Sequence, residues 1–256
     1  MHAPRNDLPR LTADLIERVR TRAPRVHCIT NTVAQAFTAN MLLAAGAIPS
    51  MTVAPEEIAA FTASADALLV NLGTFDAGRR EAAETAVEVA TEEGNPWVLD
   101  PVFIDRSAKR AEFAKLMAVR KPNALRLNGP EFTALADAAP EGEAVKRFAL
   151  DNQTVVGLTG EADQITDGAR VITIENGHAL MGRVTAMGCA GSALVAAFLA
   201  VESDALVATA AALVALGVAG EIAAAQAAGP GSFAVAIVDA IHTLDGAAVV
   251  ERARVR

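Results

Sequence analysis

The 256-residue sequence predicts an α/β fold: a central, mostly parallel sheet flanked by helices on both faces, with a small antiparallel appendage near residues 163–184. Short strand-like apolar runs alternate with helical runs along the chain, which is the order that covers a sheet with helices. A hydrophobic content of 52% supplies enough apolar surface for a large core. A single domain over residues 1–256 accommodates this, and no repeat, low-complexity tract or linker divides it.

Leu11, Leu15, Ile16 and Val19 fall on one face of a first helix, and Val26 to Ile29 read as a strand. Val33, Phe37, Met41 and Leu42 mark a second helix closing at Gly46, followed by a strand over Ile48 to Thr52. A helix with Pro55 in its first turn and two glutamates complementing the dipole is expected next. Ala67 to Val70 is a strand, and Ala77 to Glu93 is a helix stopped by Gly94. Trp97 to Leu99 makes a buried strand ending in Asp100-Pro101, with a helix from Ser107 to Val119 beyond it. Leu125 to Leu127 is strand-like, and Asn128-Gly-Pro-Glu131 opens another helix. Thr154 to Thr159 leads into a hairpin turning at Asp167-Gly168, and three helices from Cys189, Asp204 and Ser232 finish the chain.

A formal net charge of −8 argues against nucleic acid or an anionic membrane as partner, because both need a basic face. A small ligand is the expectation. The uncharged runs Gly188 to Val201 and Ala205 to Gly220 are shorter than the roughly 20 residues of a membrane span and are rich in alanine and glycine, as buried helices are. The first ten residues have no apolar signal region, and the two cysteines, Cys28 and Cys189, lie far apart; a reducing, cytoplasmic setting is the expectation.

Polar motifs stand at several strand ends, where ligands bind in open sheets of this kind. Asn31 follows a strand, although capping the next helix accounts for it. Asn71-Leu-Gly-Thr74 reads as a backbone loop beside a ligand or as a plain turn. Asp100 puts a carboxylate at the end of a buried strand; Glu131 sits in a first helical turn, where the dipole alone explains it; Thr159-Gly-Glu161 fits a simple turn. The segment Arg183 to Phe198 feeds a glycine-bearing turn into an apolar helix with Cys189 at its start. The free N–H groups there favour an anion and bias a thiol toward thiolate, while a buried, inert cysteine fits the same window. Cys28, next to His27 in an apolar strand, reads as core, and alternation sends the two side chains to opposite faces. His178 reads as a pocket or surface residue.

In this order, the segments Val26-His-Cys-Ile-Thr-Asn31, Phe37-Thr-Ala-Asn40, Ala47-Ile-Pro-Ser-Met51, Asn71-Leu-Gly-Thr74, Leu99-Asp-Pro-Val102, Arg126-Leu-Asn-Gly-Pro-Glu131, Leu158-Thr-Gly-Glu161, Thr166-Asp-Gly168, Asn176-Gly-His178 and Gly188-Cys189 make the chain resemble the hydroxyethylthiazole kinases of the ribokinase-like superfamily. The resemblance implies an ATP- and Mg²⁺-dependent transfer of the γ-phosphate to the primary hydroxyl of 4-methyl-5-(2-hydroxyethyl)thiazole, the salvage of the thiazole half of thiamine. It further implies that Asn31, Met51, Gly73 and Ala186 bind the thiazole, that Arg126, Thr159 and Gly188 contact ATP, and that Asp100 and Glu131 act on magnesium. Cys189 is implied as the base opposite the substrate hydroxyl. A homotrimer with active sites between subunits is implied as well, with Asn31 and Met51 facing Cys189 of a neighbouring chain.

The chain departs from the family pattern at three places. Ala186-Met187-Gly188-Cys189 replaces the usual Gly-Thr-Gly-Cys, Phe103-Ile-Asp-Arg-Ser107 replaces a small glycine-rich run, and Arg126-Leu127-Asn128 replaces Arg-Gly-Asn. Losing the first glycine is tolerable only where that position does not need positive φ. A kinase of another small alcohol and a non-catalytic binder of thiazole or nucleotide are the alternative readings.

Overall fold

The computed structural model describes residues 7–256. The sequence reading of the opening segment therefore lies partly outside the described residues. The chain runs α1 (Leu8–Arg22), β1 (Arg25–Ile29), α2 (Gln35–Ala45), β2 (Ile48–Ser50), α3 (Ile58–Ala63), β3 (Ala67–Asn71), α4 (Ala77–Glu93), β4 (Trp97–Asp100), α5 (Ala108–Ala118), β5 (Ala124–Asn128), α6 (Gly129–Ala136), α7 (Gly142–Asn152), β6 (Val155–Thr159), β7 (Asp163–Thr166), β8 (Val171–Ile174), α8 (Met187–Leu199), α9 (Ala205–Gln226), α10 (Pro230–Thr243) and α11 (Gly246–Arg252). Short 3₁₀ turns cover Ile104–Arg106 and Ala179–Arg183.

The eight strands form one sheet in the order β2-β1-β3-β4-β5-β6-β7-β8. Strands β1 to β6 pair in parallel and β7 and β8 pair antiparallel, so the expected appendage is a hairpin continuing the main sheet. Strand alternation divides the apolar residues between two cores. Cys28, Leu69, Val98 and Ala124 point to the side covered by α1, α2 and α8 to α11. Ile29, Leu68, Val70, Leu99, Leu125 and Val156 point to the side covered by α3 to α7. Because β2 and β3 lie on opposite sides of β1, the strand order reverses between β1 and β3, and a crevice opens there at the carboxyl ends of the strands.

Helix ends follow local chemistry. Asp76 caps α4 by accepting from the Arg79 N–H at 2.7 Å, and Gly94 ends that helix at φ 71°. Ser107 caps α5, and Asn128 with Glu131 forms a capping box on α6.

Four expectations need correction. Pro55 and the glutamates lie in a turn before α3, not in its first turn, because Thr52 Oγ1 ties that turn to the Ala54 N–H and to Glu57 Oε2. Helix α7 was not foreseen. Four helices, not three, close the chain, the last being α11, and α8 and α10 begin at Met187 and Pro230 rather than at Cys189 and Ser232. Helix α9 is longer than its uncharged run, long and apolar enough to cross a membrane, yet it is mostly buried against α1, α8 and α10.

Candidate active site

The carboxyl ends of β1, β3 and β4 bring together residues far apart in sequence. Asn71 ends β3 in register with Asp100 at the end of β4, and its Nδ2 donates to Asp100 Oδ2 at 2.7 Å. Asn31, just beyond β1, donates from Nδ2 to Asn71 Oδ1 at 3.1 Å and to Cys189 Sγ at 3.2 Å. Its Oδ1 accepts from the Ala34 N–H at 2.9 Å, so the amide turns the chain toward α2 with one end and meets the thiol with the other. A continuous polar line thus joins Cys189, Asn31, Asn71 and Asp100 across the switch point of the sheet. Gly73 is needed beside it. A Cβ there would stand 2.6 Å from Asn31 Nδ2.

Cys189 lies in the first turn of α8 and is 8% exposed. Burial pushes its thiol up to about 11, helped by the Asp100 carboxylate and opposed by the Asn31 and Asn71 amides and Arg126. The expected thiolate bias at a helix start is therefore outweighed by desolvation. Burial likewise raises Asp100 to about 6, with Arg126 opposing and Glu131 reinforcing the rise. Cys28 is core, as expected, its thiol raised by burial to about 12.

Glu131, also buried, accepts from the Asn128 N–H at 3.0 Å and the Phe103 N–H at 2.9 Å. Arg126 projects from β5 beneath α8, where its Nη1 donates to the Gly188 carbonyl at 3.1 Å and its buried Nε has no partner. Thr159 ends β6 in register with Asn128, and its hydroxyl donates to the Leu127 carbonyl at 3.3 Å.

Two cavities meet at Arg126. One, of about 620 Å³, is lined by Asn31, Gly73, Asp100, Glu131, Ala186 and Cys189. The other, of about 730 Å³, is lined by residues including Gly160, Asp163, His178, Leu213 and Gly217. Both share Arg126, Thr159, Met187 and Gly188. Nine of the ten residues singled out in the sequence line these cavities. Met51 does not: it follows β2 at the sheet edge and packs against the first core. Asn31 meets Cys189 of its own chain, which corrects the expectation that it faces a neighbour's.

The sequence reading missed two members. Asn71, read only within a loop beside a ligand or a plain turn and given no role of its own, is the one polar residue closing an otherwise apolar strand. Asp163 begins β7 and accepts from the Gly160 N–H at 3.0 Å; burial raises its pKa, with Arg126 opposing. His178, read as a pocket or surface residue, lines the larger cavity and caps the following 3₁₀ turn.

Ala186 caps α8 at φ 66°, ψ −1°. The missing glycine therefore is felt: this position needs the left-handed region, which costs a residue with a Cβ about 1 kcal/mol or more. Ala186→Gly is expected to raise the melting temperature by about 3 °C. Calorimetry of the two proteins checks this, and an unchanged or lower value would mean that the turn holds alanine without strain.

Residues 16–247 match the hydroxyethylthiazole kinase family. A probable hydroxyethylthiazole kinase from Agrobacterium fabrum is 42% identical over 243 residues, covering 95% of this chain and 94% of that one. The structure of a hydroxyethylthiazole kinase from Pyrococcus horikoshii superposes with a TM-score of 0.92 at 39% identity, over 96% of this chain and 98% of that one. A ribokinase-like superfamily protein from Enterococcus faecalis shares the fold at a TM-score of 0.70 and 12% identity, over 90% of this chain and 93% of that one. With nearly its whole length matched, the chain belongs to the hydroxyethylthiazole kinase family.

Proposed function

We propose that this protein transfers the γ-phosphoryl group of ATP to the primary hydroxyl of 4-methyl-5-(2-hydroxyethyl)thiazole, a salvage step toward thiamine. The observation that carries the reading is the polar line from Cys189 through Asn31 and Asn71 to Asp100, at the floor of a cleft that joins a second cavity at Arg126. The larger cavity takes the nucleotide, with Thr159 and Arg126 beside its phosphates. The smaller takes the thiazole alcohol against Asn31, Gly73 and Ala186, with its hydroxyl opposite Cys189.

Phosphoryl transfer through a loose transition state depends on alignment and on stabilising the charge of the moving group. Arg126 supplies a fixed cation at the junction of the cavities, its Nη1 held by the Gly188 carbonyl. The first N–H groups of α8, from Met187 to Cys189, have no helical partner and face the same junction. Asp100 and Glu131 fit magnesium: both are buried carboxylates in one cleft, oxygen donors of the kind that ion prefers, and the raised Asp100 pKa marks a charge the protein leaves undercompensated. Asp100 would hold the ion directly. Glu131, whose two oxygens already accept backbone N–H groups, would hold its waters. When bound, magnesium neutralises phosphate charge.

The alanine and methionine before Gly188 leave the turn into α8 formed, which favours an active enzyme over a non-catalytic binder. Incubation with Mg-ATP and the thiazole alcohol tests the reading: the phosphate ester is expected, and none above the enzyme-free background would overturn it. Two buried free cysteines support a reducing, cytoplasmic setting.

A homotrimer is part of the same proposal. Strand β2 forms an open edge, where Ile48 on the strand and Leu43 on the adjoining α2 expose large apolar side chains, and Met51 follows the strand. Covering that edge with a second copy would bury them and carry Met51 toward a neighbour's cleft. Sedimentation equilibrium is expected to give a mass three times the 26.4 kDa of the chain; a monomer at assay concentration would overturn the trimer and leave the kinase reading intact.

A further inference from the structure

Phe103 combines two unfavourable features. Its backbone lies in the left-handed region at φ 56°, ψ 31°, where a Cβ is disfavoured, and its aromatic side chain is 57% exposed. Ala23, Asp137 and Gln153, which also have positive φ, are helix C-caps, where that conformation closes a helix. Phe103 caps no helix C-terminus, and its ring belongs to neither core. Nothing in its own packing offsets the strain.

The surrounding structure nevertheless clamps it from both sides. The Phe103 N–H donates to Glu131 Oε1 at 2.9 Å, and the preceding Val102 carbonyl accepts from Arg110 Nη1 at 2.9 Å. Ile104, immediately after, is fully buried and anchors the turn to the core. Strain maintained this firmly is characteristic of functional positions. The clamp brings Phe103 to the wall of the cleft that holds Asp100 and Cys189, together with Val33 and Val184. The cleft thus has a polar floor and an apolar rim, and Phe103 is the bulkiest of these three rim side chains.

We propose that Phe103 is a water-excluding rim residue that makes phosphoryl transfer go to the alcohol rather than to water; this rests on the kinase reading above. In the productive step the acceptor oxygen bonds to the γ-phosphorus, the bond from that phosphorus to the bridging oxygen of ADP breaks, and the hydroxyl proton leaves to solvent. In the competing step a water oxygen takes the same position, giving ADP, inorganic phosphate and a proton. The loose transition state demands little of its nucleophile, so discrimination falls to access, and an apolar ring over the opening disfavours water while it packs against a heteroaromatic ring.

The test measures ADP and phosphate ester together, with Mg-ATP and the thiazole alcohol, for the wild type, Phe103→Gly, Phe103→Ser and Phe103→Leu. The ratio of ADP to ester is expected to rise by about tenfold for Gly and Ser and to stay within about twofold of wild type for Leu, which keeps an apolar rim. Phe103→Gly should also melt at a higher temperature than wild type, since it removes the left-handed strain; this separates lost coupling from lost folding. Equal ratios in all four proteins would overturn the role of Phe103. A wild type that makes no ester would overturn the kinase reading on which it rests.

Discussion

Asp100→Asn is expected to lower kcat by about 10³-fold and, at pH 7, to raise the melting temperature by about 5 °C. The two effects have one cause. The Asp100 carboxyl is buried and its pKa is raised from 3.8 to about 6, chiefly by desolvation. A folded-state pKa above the unfolded value means that the folded protein binds the proton more tightly. Stability is therefore highest below about pH 4, falls as pH rises toward about 6, and stays low above it. The displacement corresponds to about 3 kcal/mol at neutral pH. The amide substitute carries no charge, keeps an acceptor for Asn71 Nδ2, though a weaker one than a carboxylate, and recovers about 2 kcal/mol of this. It cannot neutralise a cation. The magnesium concentration for half-maximal rate should rise, and the melting-temperature advantage should shrink to nothing by pH 4. A variant less stable than wild type at both pH values would show that the carboxylate is held by attraction rather than tolerated for its chemistry.

Much of this site was legible one residue at a time, and each reading had a structural competitor. The structure makes several competitors true together. Asn31 shapes the entry to α2 through Oδ1 and meets Cys189 through Nδ2, because an amide has two ends. Glu131 completes the capping box on α6 through Oε2 and fixes Phe103 through Oε1. Local capping signals could not decide between such uses, since the second partner lies 28 residues away for Glu131 and 158 for Asn31. The role of Asn71 within its loop stayed undecided for the same reason: it is set by partners on β4 and beyond β1.

Helix α4 was read to its ends, because Asp76 and Gly94 are strong local stops. Helix α11 buries Val249 alone; α7 does carry Val145, Phe148 and Ala149 at helical spacing on one face, a signal the sequence reading missed. A single buried side chain, as in α11, leaves no clear period. The left-handed backbone at Ala186 was foreshadowed by the glycine it replaces, whereas that at Phe103 was beyond reach for a different reason. Phenylalanine does not advertise positive φ, and Phe103 is held there by Glu131 and Arg110.

Cys189→Ala is expected to lower kcat by about tenfold, less than the roughly 10²-fold at the low end of what a general base contributes. A thiol raised to about 11 is ionised in roughly one molecule in 10⁴ at pH 7, and polyphosphate in the adjoining cavity opposes ionisation further. The loose transition state draws the acceptor proton late, so a neutral sulfur held by Asn31 Nδ2 contributes by orienting the hydroxyl. The pH profile distinguishes this from base catalysis. A thiolate base would make kcat climb about tenfold per pH unit from 7 to 10, a slope that Cys189→Ala would abolish. An orienting thiol predicts the same shallow profile for both proteins above pH 7, and in both a kcat/KM limb that falls as pH drops through about 6, where the Asp100 carboxyl of the free enzyme takes up its proton. Cys189→Asp adds a second buried carboxylate beside Asp100, and its pKa should rise toward neutrality by desolvation and like-charge repulsion. That variant is expected to match or exceed wild type at pH 8 and to lose activity on acidification at a higher pH than wild type does. An Ala variant without the alkaline slope of the wild type would return Cys189 to the role of base, acting through the small thiolate fraction that a pKa of about 11 leaves.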